Sequence, residues 1–155
     1  MGLIDFVVNA GKKLFGVGEA EAAVPTDPEV LAKRATALEN EIKALGLHVE
    51  GLKVKVEGDT AFVHGTAQTQ AEREKVVLAL GNVEGIAKVD DAMQVASAAA
   101  ESRFYTVQKG DTLSKIAKEH YGDANKYPQI FEANKPMLSH PDKIYPGQKL
   151  RIPAA

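Results

Sequence analysis

A chain of 155 residues fits one ordinary domain or two small ones, and 45% hydrophobic with 26% charged residues is the balance of a soluble globular protein. A net charge of -2, with 19 lysines and arginines scattered along the chain and few aromatics, excludes a nucleic-acid platform. The absence of cysteine excludes disulfides, thiolate metal sites and cysteine nucleophiles, and leans towards the cytoplasm.

At the N-terminus, Leu3, Phe6, Val7, Ala10 and Leu14 recur at helical spacing, which predicts a short amphipathic helix within residues 1–15. It lacks the cationic polar face of a helix that lies on a membrane, so docking on the domain that follows is expected. A secretory signal places positive charge ahead of its apolar core, whereas Asp5 interrupts the apolar run here and Lys12 and Lys13 follow it. Phe6 stands where N-myristoylation needs Ser or Thr. No stretch approaches the roughly 18 apolar residues of a membrane span. A cytoplasmic chain beginning at or near Met1 is expected. Gly16–Thr26 then reads as a small-residue linker.

Asp27 can cap a helix with Pro28 in its first turn, and Leu31, Ala35, Leu38, Ile42 and Leu45 fall on one stripe before Gly46. Leu52, Val54 and Val56 alternate with polar residues, Gly58-Asp59 supplies a turn, and Thr60–Gly65 reads as the returning strand. Thr69-Gln70-Ala71-Glu72 is a capping box opening a second helix with Val76, Val77 and Leu80, and Gly81 ends it. Ile86, Val89 and Met93 predict a third strand reaching about Val95. This αββαβ order, with the passage Gly81-Asn82-Val83-Glu84-Gly85-Ile86-Ala87-Lys88-Val89-Asp90-Asp91, resembles a BON domain, placed at residues 27–95.

Residues 96–103 read as a linker, small in composition up to Ser102. Beyond it, Phe104-Tyr105-Thr106-Val107 predicts a strand, and Asp111 or Thr112 caps a helix bearing Leu113, Ile116 and Ala117, with Gly122 as its stop. Ala124–Asn134 makes a second helix with Tyr127, Ile130 and Phe131 as core candidates, and Pro146-Gly147 has the residue types of a type II turn into the strand Lys149–Pro153. This βααβ arrangement over residues 104–153 resembles a LysM module, so the whole chain is predicted to be α+β with two small domains. The resemblance implies a shallow groove for N-acetylglucosamine-containing glycans, bordered here by Gly110, Asp111, Thr112 and Leu113 and by Asn134 and Pro136. Helix capping and backbone satisfaction account for Asp111, Thr112 and Asn134 equally well.

Catalysis finds no support. The four histidines lie far apart, Asp90 and Asp91 would point to opposite faces of a strand, and Ser114 is in no nucleophile elbow. No Asp-x-Asp-x-Asp-Gly loop marks a calcium or magnesium site. Potassium needs less: selective sites replace its hydration shell with neutral carbonyls, which leave no side-chain signature. Helix ends near Ala10-Gly11 and at Gly81 would offer such carbonyls, although Gly81 and Gly85 also read simply as a helix stop and a tight turn.

Met1-Gly2-Leu3-Ile4-Asp5-Phe6-Val7, Gly81–Ala87, Phe131–Leu138 and Ile144–Gln148 together resemble the cytoplasmic bacterial potassium-binding proteins built from a BON and a LysM domain. That resemblance implies a K+ site formed by the backbone carbonyls of Val7, Val8, Ala10, Gly81, Val83 and Ile86. It also implies a monomeric, non-enzymatic ion sensor whose conformation changes on binding, with a glycan or protein partner for the LysM module left open. The alternatives are a peptidoglycan-binding adaptor outside the cytoplasm and a purely structural interaction module.

Overall fold

The computed structural model describes residues 2–8, 10–12 and 27–154. Leu14 of the predicted first helix and the Gly16–Thr26 linker lie outside them. Helix α1 (Pro28–Ala44) begins where the Asp27 side chain accepts the Glu29 N–H at 2.9 Å, with Pro28 in the first turn where its missing donor costs nothing. Strands β2 (Val49–Glu57) and β3 (Thr60–Thr69) pair antiparallel, with Val54 and Val56 turned into the core opposite Val63 and Ala61. Thr69 caps α2 (Gln70–Gly81) by accepting the Glu72 N–H at 3.1 Å, and the Glu72 carboxylate accepts the His48 N–H at 2.6 Å.

The predicted third strand is present but interrupted. β4 (Lys88–Asp91) and β5 (Gln94–Ser97) both run parallel to β3, and between them the Asp91 carboxylate accepts the Met93 N–H at 2.9 Å. The other Asp91 oxygen takes the Arg73 Nε at 2.9 Å, which compensates a fully buried carboxylate.

The N-terminal segment differs from expectation. Gly2–Asp5 is a strand, β1, not the start of an amphipathic helix, and it pairs antiparallel with β4 at the sheet edge, giving the order β1-β4-β3-β2. The reason is periodicity. Of the helical stripe, Leu3 and Val7 are exposed, while Ile4, which the stripe leaves out, packs on the core together with Phe6 two residues on. A short apolar run admits both periods, and the unpaired edge of β4 favours the extended form.

In the second half, β6 (Arg103–Thr106) pairs antiparallel with β7 (Lys149–Ile152), and α3 (Leu113–Tyr121) and α4 (Tyr127–Ala133) lie between them in sequence. Thr112 caps α3, Gly122 leaves it with φ +75°, and a 3-10 turn at Ala124–Lys126 replaces the start of the predicted second helix. Ile130 is in the core with Ile116, Leu150 and Ile152, but Tyr127 is exposed. Tyr145–Gln148 closes as the expected turn, with Gly147 at φ +89°.

The halves meet where α2 packs on β7. Glu74, fully buried, accepts from Arg151 Nε at 2.9 Å, from Gln70 Nε2 at 3.0 Å and from the Ser102 N–H at 2.8 Å. Arg151 also donates to the Ala133 carbonyl at 3.0 Å and the Ser102 hydroxyl at 3.1 Å. Burial alone would raise the Glu74 pKa, but the hydrogen bonds from Gln70, Ser102 and Arg151 outweigh it and hold the carboxyl below its ordinary value.

Breaking such a pair leaves a buried charge uncompensated. Glu74→Ala is expected to lower stability by about 3–5 kcal/mol, while a Glu74→Leu, Arg151→Met double variant recovers most of it in thermal unfolding. Because the folded pKa is depressed, the carboxylate's contribution is complete above the unfolded value and is lost as pH falls through the folded one. Wild type should therefore lose more stability than Glu74→Gln on acidification below roughly pH 4.3.

Candidate functional site

Beyond β1 the chain runs along the turn that joins α2 to β4, and the two are joined backbone to backbone. Phe6 donates to the Ala87 carbonyl at 2.8 Å, Gly85 to Val8 at 2.8 Å, Lys12 to Asn82 at 2.9 Å and Glu84 to Lys12 at 2.9 Å. Glycine makes this approach feasible. A Cβ at Gly11 would lie 2.4 Å from the Asn82 carbonyl carbon, and one at Gly81 would enter the Phe6 ring at 2.1 Å. On the other side Gly147 presses on the same segment, its hypothetical Cβ 2.5 Å from Ala10 Cβ and 3.3 Å from Val7 Cβ.

This seam is rich in carbonyl oxygens. Val7 O accepts from Ala10 N–H at 3.2 Å and Val83 O from Ile86 N–H at 3.1 Å, leaving each a second lone pair. Gly81 is the last residue of α2, at the negative end of its dipole. The N-terminal carbonyls, by contrast, belong to a turn after a strand, so only one of the two expected helix ends exists. Among the described residues no group of three or more His, Asp or Glu could hold a metal. A cation entering the seam would meet neutral oxygens. One resident cation lies close: the Lys149 ammonium donates to the Asp5 carbonyl and sits 5.1 Å from the Phe6 ring centre. Burial lowers its pKa, with the Asp5 charge acting the other way.

The loops that border the expected glycan groove are engaged internally. Asp111 accepts from the Tyr105 hydroxyl and, at 2.8 Å, from Gln108 N–H, and Thr112 caps α3 by accepting from Lys115 N–H at 3.1 Å. The hydrogen bond from Tyr105 raises its pKa to about 12, with burial and the Asp111 charge adding to it. Leu113 is core, and Gly110 has φ +87°. Asn134, 1% exposed, binds both backbone groups of Arg151: Nδ2 donates to O at 3.0 Å and Oδ1 accepts from N–H at 2.8 Å. Asn134, Pro136 and Met137 share one narrow cleft with Leu47, Lys75 and Leu78, so this loop faces the other domain.

Residues 31–97 match the BON domain family and residues 105–153 the LysM domain family. The potassium binding protein Kbp of Escherichia coli O6:H1 is 44% identical over 154 residues, 99% of each chain. The chain belongs to the Kbp family. An uncharacterized protein of Deinococcus radiodurans is 36% identical over 107 residues, 62% of this chain and 42% of that one. Protein YqbP of Bacillus subtilis is 43% identical over 58 residues, 32% of this chain and 26% of its own.

In this Kbp-family chain the two sets of expected ion-binding residues, Val7, Val8 and Ala10 with Gly81, Val83 and Ile86, lie on the two sides of one hydrogen-bonded seam. The glycan-groove residues lie elsewhere, in the β6–α3 loop, at the first residue of α3 and in the α4–β7 loop. Sequence reasoning missed Glu74, Asn82, Gly147, Lys149 and Arg151, which join the domains around the seam. A signal for the first existed: Gln70, Glu74, Val77 and Gly81 are spaced to share one face of α2, and all four are buried.

Gly11→Ala should unlace the seam. Expected are a loss of about 1–3 kcal/mol in denaturant unfolding and faster amide exchange at Lys12, Glu84 and Gly85, with Val54 and Val63 still protected.

Proposed function

We propose that this protein binds K+ reversibly through the backbone carbonyls of Val7, Val8, Ala10, Gly81, Val83 and Ile86 and serves as a cytoplasmic sensor of that ion. The observation that carries the reading is the backbone-to-backbone seam between residues 6–12 and 82–87, laced by direct hydrogen bonds and closed by Gly11 and Gly81. Potassium is large and weakly polarising, so a set of neutral carbonyls suits it, whereas Mg2+ or Ca2+ calls for carboxylates. The 44% identity to a protein named for potassium binding supports the same ion.

The construction of the seam supports reversible binding. One side is the sheet-anchored end of α2, and the other is a segment held by β1 and a handful of backbone bonds. The ion binds best when both sides are in place, so it favours the closed seam by its differential affinity and shifts the population towards it. Among the described residues no helix is long and apolar enough to cross a membrane. The polar groove residues Asp111, Thr112 and Asn134 already have partners within the fold, so the glycan reading rests on the LysM family match alone.

Thermal unfolding in KCl and NaCl of equal ionic strength tests the reading. At K+ a hundredfold above Kd, stabilisation is expected to be about 2.7 kcal/mol, with no matching gain in sodium. For a chain of this size that is roughly 5–11 °C in midpoint. Identical melts in the two salts, with the protein retained on purified peptidoglycan, would transfer the function to the LysM groove.

A further inference from the structure

We propose that Asn82 is a positioning residue for the ion site, holding the Gly81 and Val83 carbonyls in place by clasping the open edge of β7 in the other domain. This rests on the K+ reading above and names a residue whose own groups are not ligands in it.

Asn82 is 6% exposed and is bonded on every side. Its backbone N–H donates to Leu78 O at 2.9 Å, closing α2, and its carbonyl accepts from Lys12 N–H at 2.9 Å, holding the N-terminal segment. Its side chain crosses to the LysM domain. Nδ2 donates to Lys149 O at 2.8 Å and Oδ1 accepts from Lys149 N–H at 2.8 Å, with Met137 Sδ 3.4 Å from Nδ2. Three segments far apart in sequence therefore converge on one residue, and its two neighbours are the residues whose carbonyls are assigned to the ion.

The chemistry of the clasp is specific. Lys149 presents one donor and one acceptor on the edge of β7 that β6 does not cover. A primary amide returns one of each at the right separation, which an ionised carboxylate cannot. Asn134 does the same to Arg151 two residues along, so the edge of β7 is closed by two asparagines, one from each domain. An aspartate would accept from Lys149 N–H but leave Lys149 O unpaired, and an alanine would leave both groups unpaired in a buried site.

Residues one step removed from an ion act on affinity by fixing the direction of its ligands. Rotation of the peptide unit between residues 81 and 82 swings the Gly81 carbonyl, and any displacement of residue 82 carries Val83 and its carbonyl with it; the clasp opposes both. A merely structural residue would lower stability equally in every salt. A positioning residue lowers the potassium-specific increment as well.

The test is titration calorimetry with KCl and paired melts in KCl and NaCl on the full chain, for wild type, Asn82→Ala, Asn82→Asp and Arg73→Met. Arg73→Met removes the Arg73–Asp91 pair, away from the clasp, and serves as the destabilised control. Expected is a K+ affinity roughly 10- to 100-fold weaker in both Asn82 variants, with the potassium-specific shift in midpoint reduced and that of Arg73→Met kept. The Asp variant preserves volume should the Ala variant not fold. Wild-type affinity in both Asn82 variants, or equal loss in Arg73→Met, overturns the positioning role while leaving the K+ reading intact. No potassium-specific shift in wild type removes both.

Discussion

The C-terminal half of α2 has no face left for water. Val76, Val77, Leu78, Ala79, Leu80 and Gly81 are all buried, because the sheet covers one side of the helix and β7 of the second domain approaches the other. Much else in the molecule follows from this. A side chain at position 81 would collide with Phe6, the carboxylate at position 74 must find cations and donors without solvent, and the helix must end by bonding to whatever surrounds it. Buried polar groups are costly unless paired, so the end of α2 became a junction of backbone and amide hydrogen bonds.

The Glu74–Arg151 pair shows how the junction gains a unique geometry. A buried ion pair is a weak source of net stability, since desolving both charges offsets most of their attraction. Its directional demands are stricter. Glu74 takes three donors from three segments, and Arg151 reaches α4 and the Ser102 linker as well as α2, so these bonds are all made together only when the domains sit in one register. Apolar contact between Leu78 and the Asn134–Met137 loop would tolerate sliding. The charged network would not.

The elements legible in the sequence were those whose signals are local. Asp27, Thr69 and Thr112 are caps because a side-chain oxygen three residues or fewer from a free N–H needs nothing else, and all three cap as their positions imply. Gly122 and Gly147 take positive φ for the same local reason. Signals that depend on distant partners were not legible. Leu3 to Val7 fits both a helical stripe and an alternating strand, and the free edge of β4, some eighty residues on, decides between them. The run from Val76 to Gly81 is apolar all round, which marks a helix buried on every side, but not by what. Asn82 carries no signal at all: next to Gly81 it reads as an ordinary helix end, and its partner lies 67 residues away. The proposed ion site has no local signal for the same reason, since backbone carbonyls leave no residue type to find.

The same junction sets limits on what an ion could do here. Coupling between two sites amounts to about 1–3 kcal/mol, and it is reciprocal: whatever a docked second domain adds to the order of the Gly81–Val83 turn, order in that turn returns to the docking. Removal of one buried charge from the junction is expected to cost more than that. The domain contact is therefore assembled by Glu74, Arg151 and the apolar cleft, and occupancy of the seam can bias it without creating it. The LysM domain in turn acts on the seam from two directions, through Gly147 against Val7 and Ala10 and through Lys149 against Asn82. Its β7 edge, closed by two asparagines, has no backbone left at Lys149 or Arg151 for an added strand. In this arrangement the module's last strand braces the other domain's turn, a role that needs the fold of a LysM domain but none of its groove.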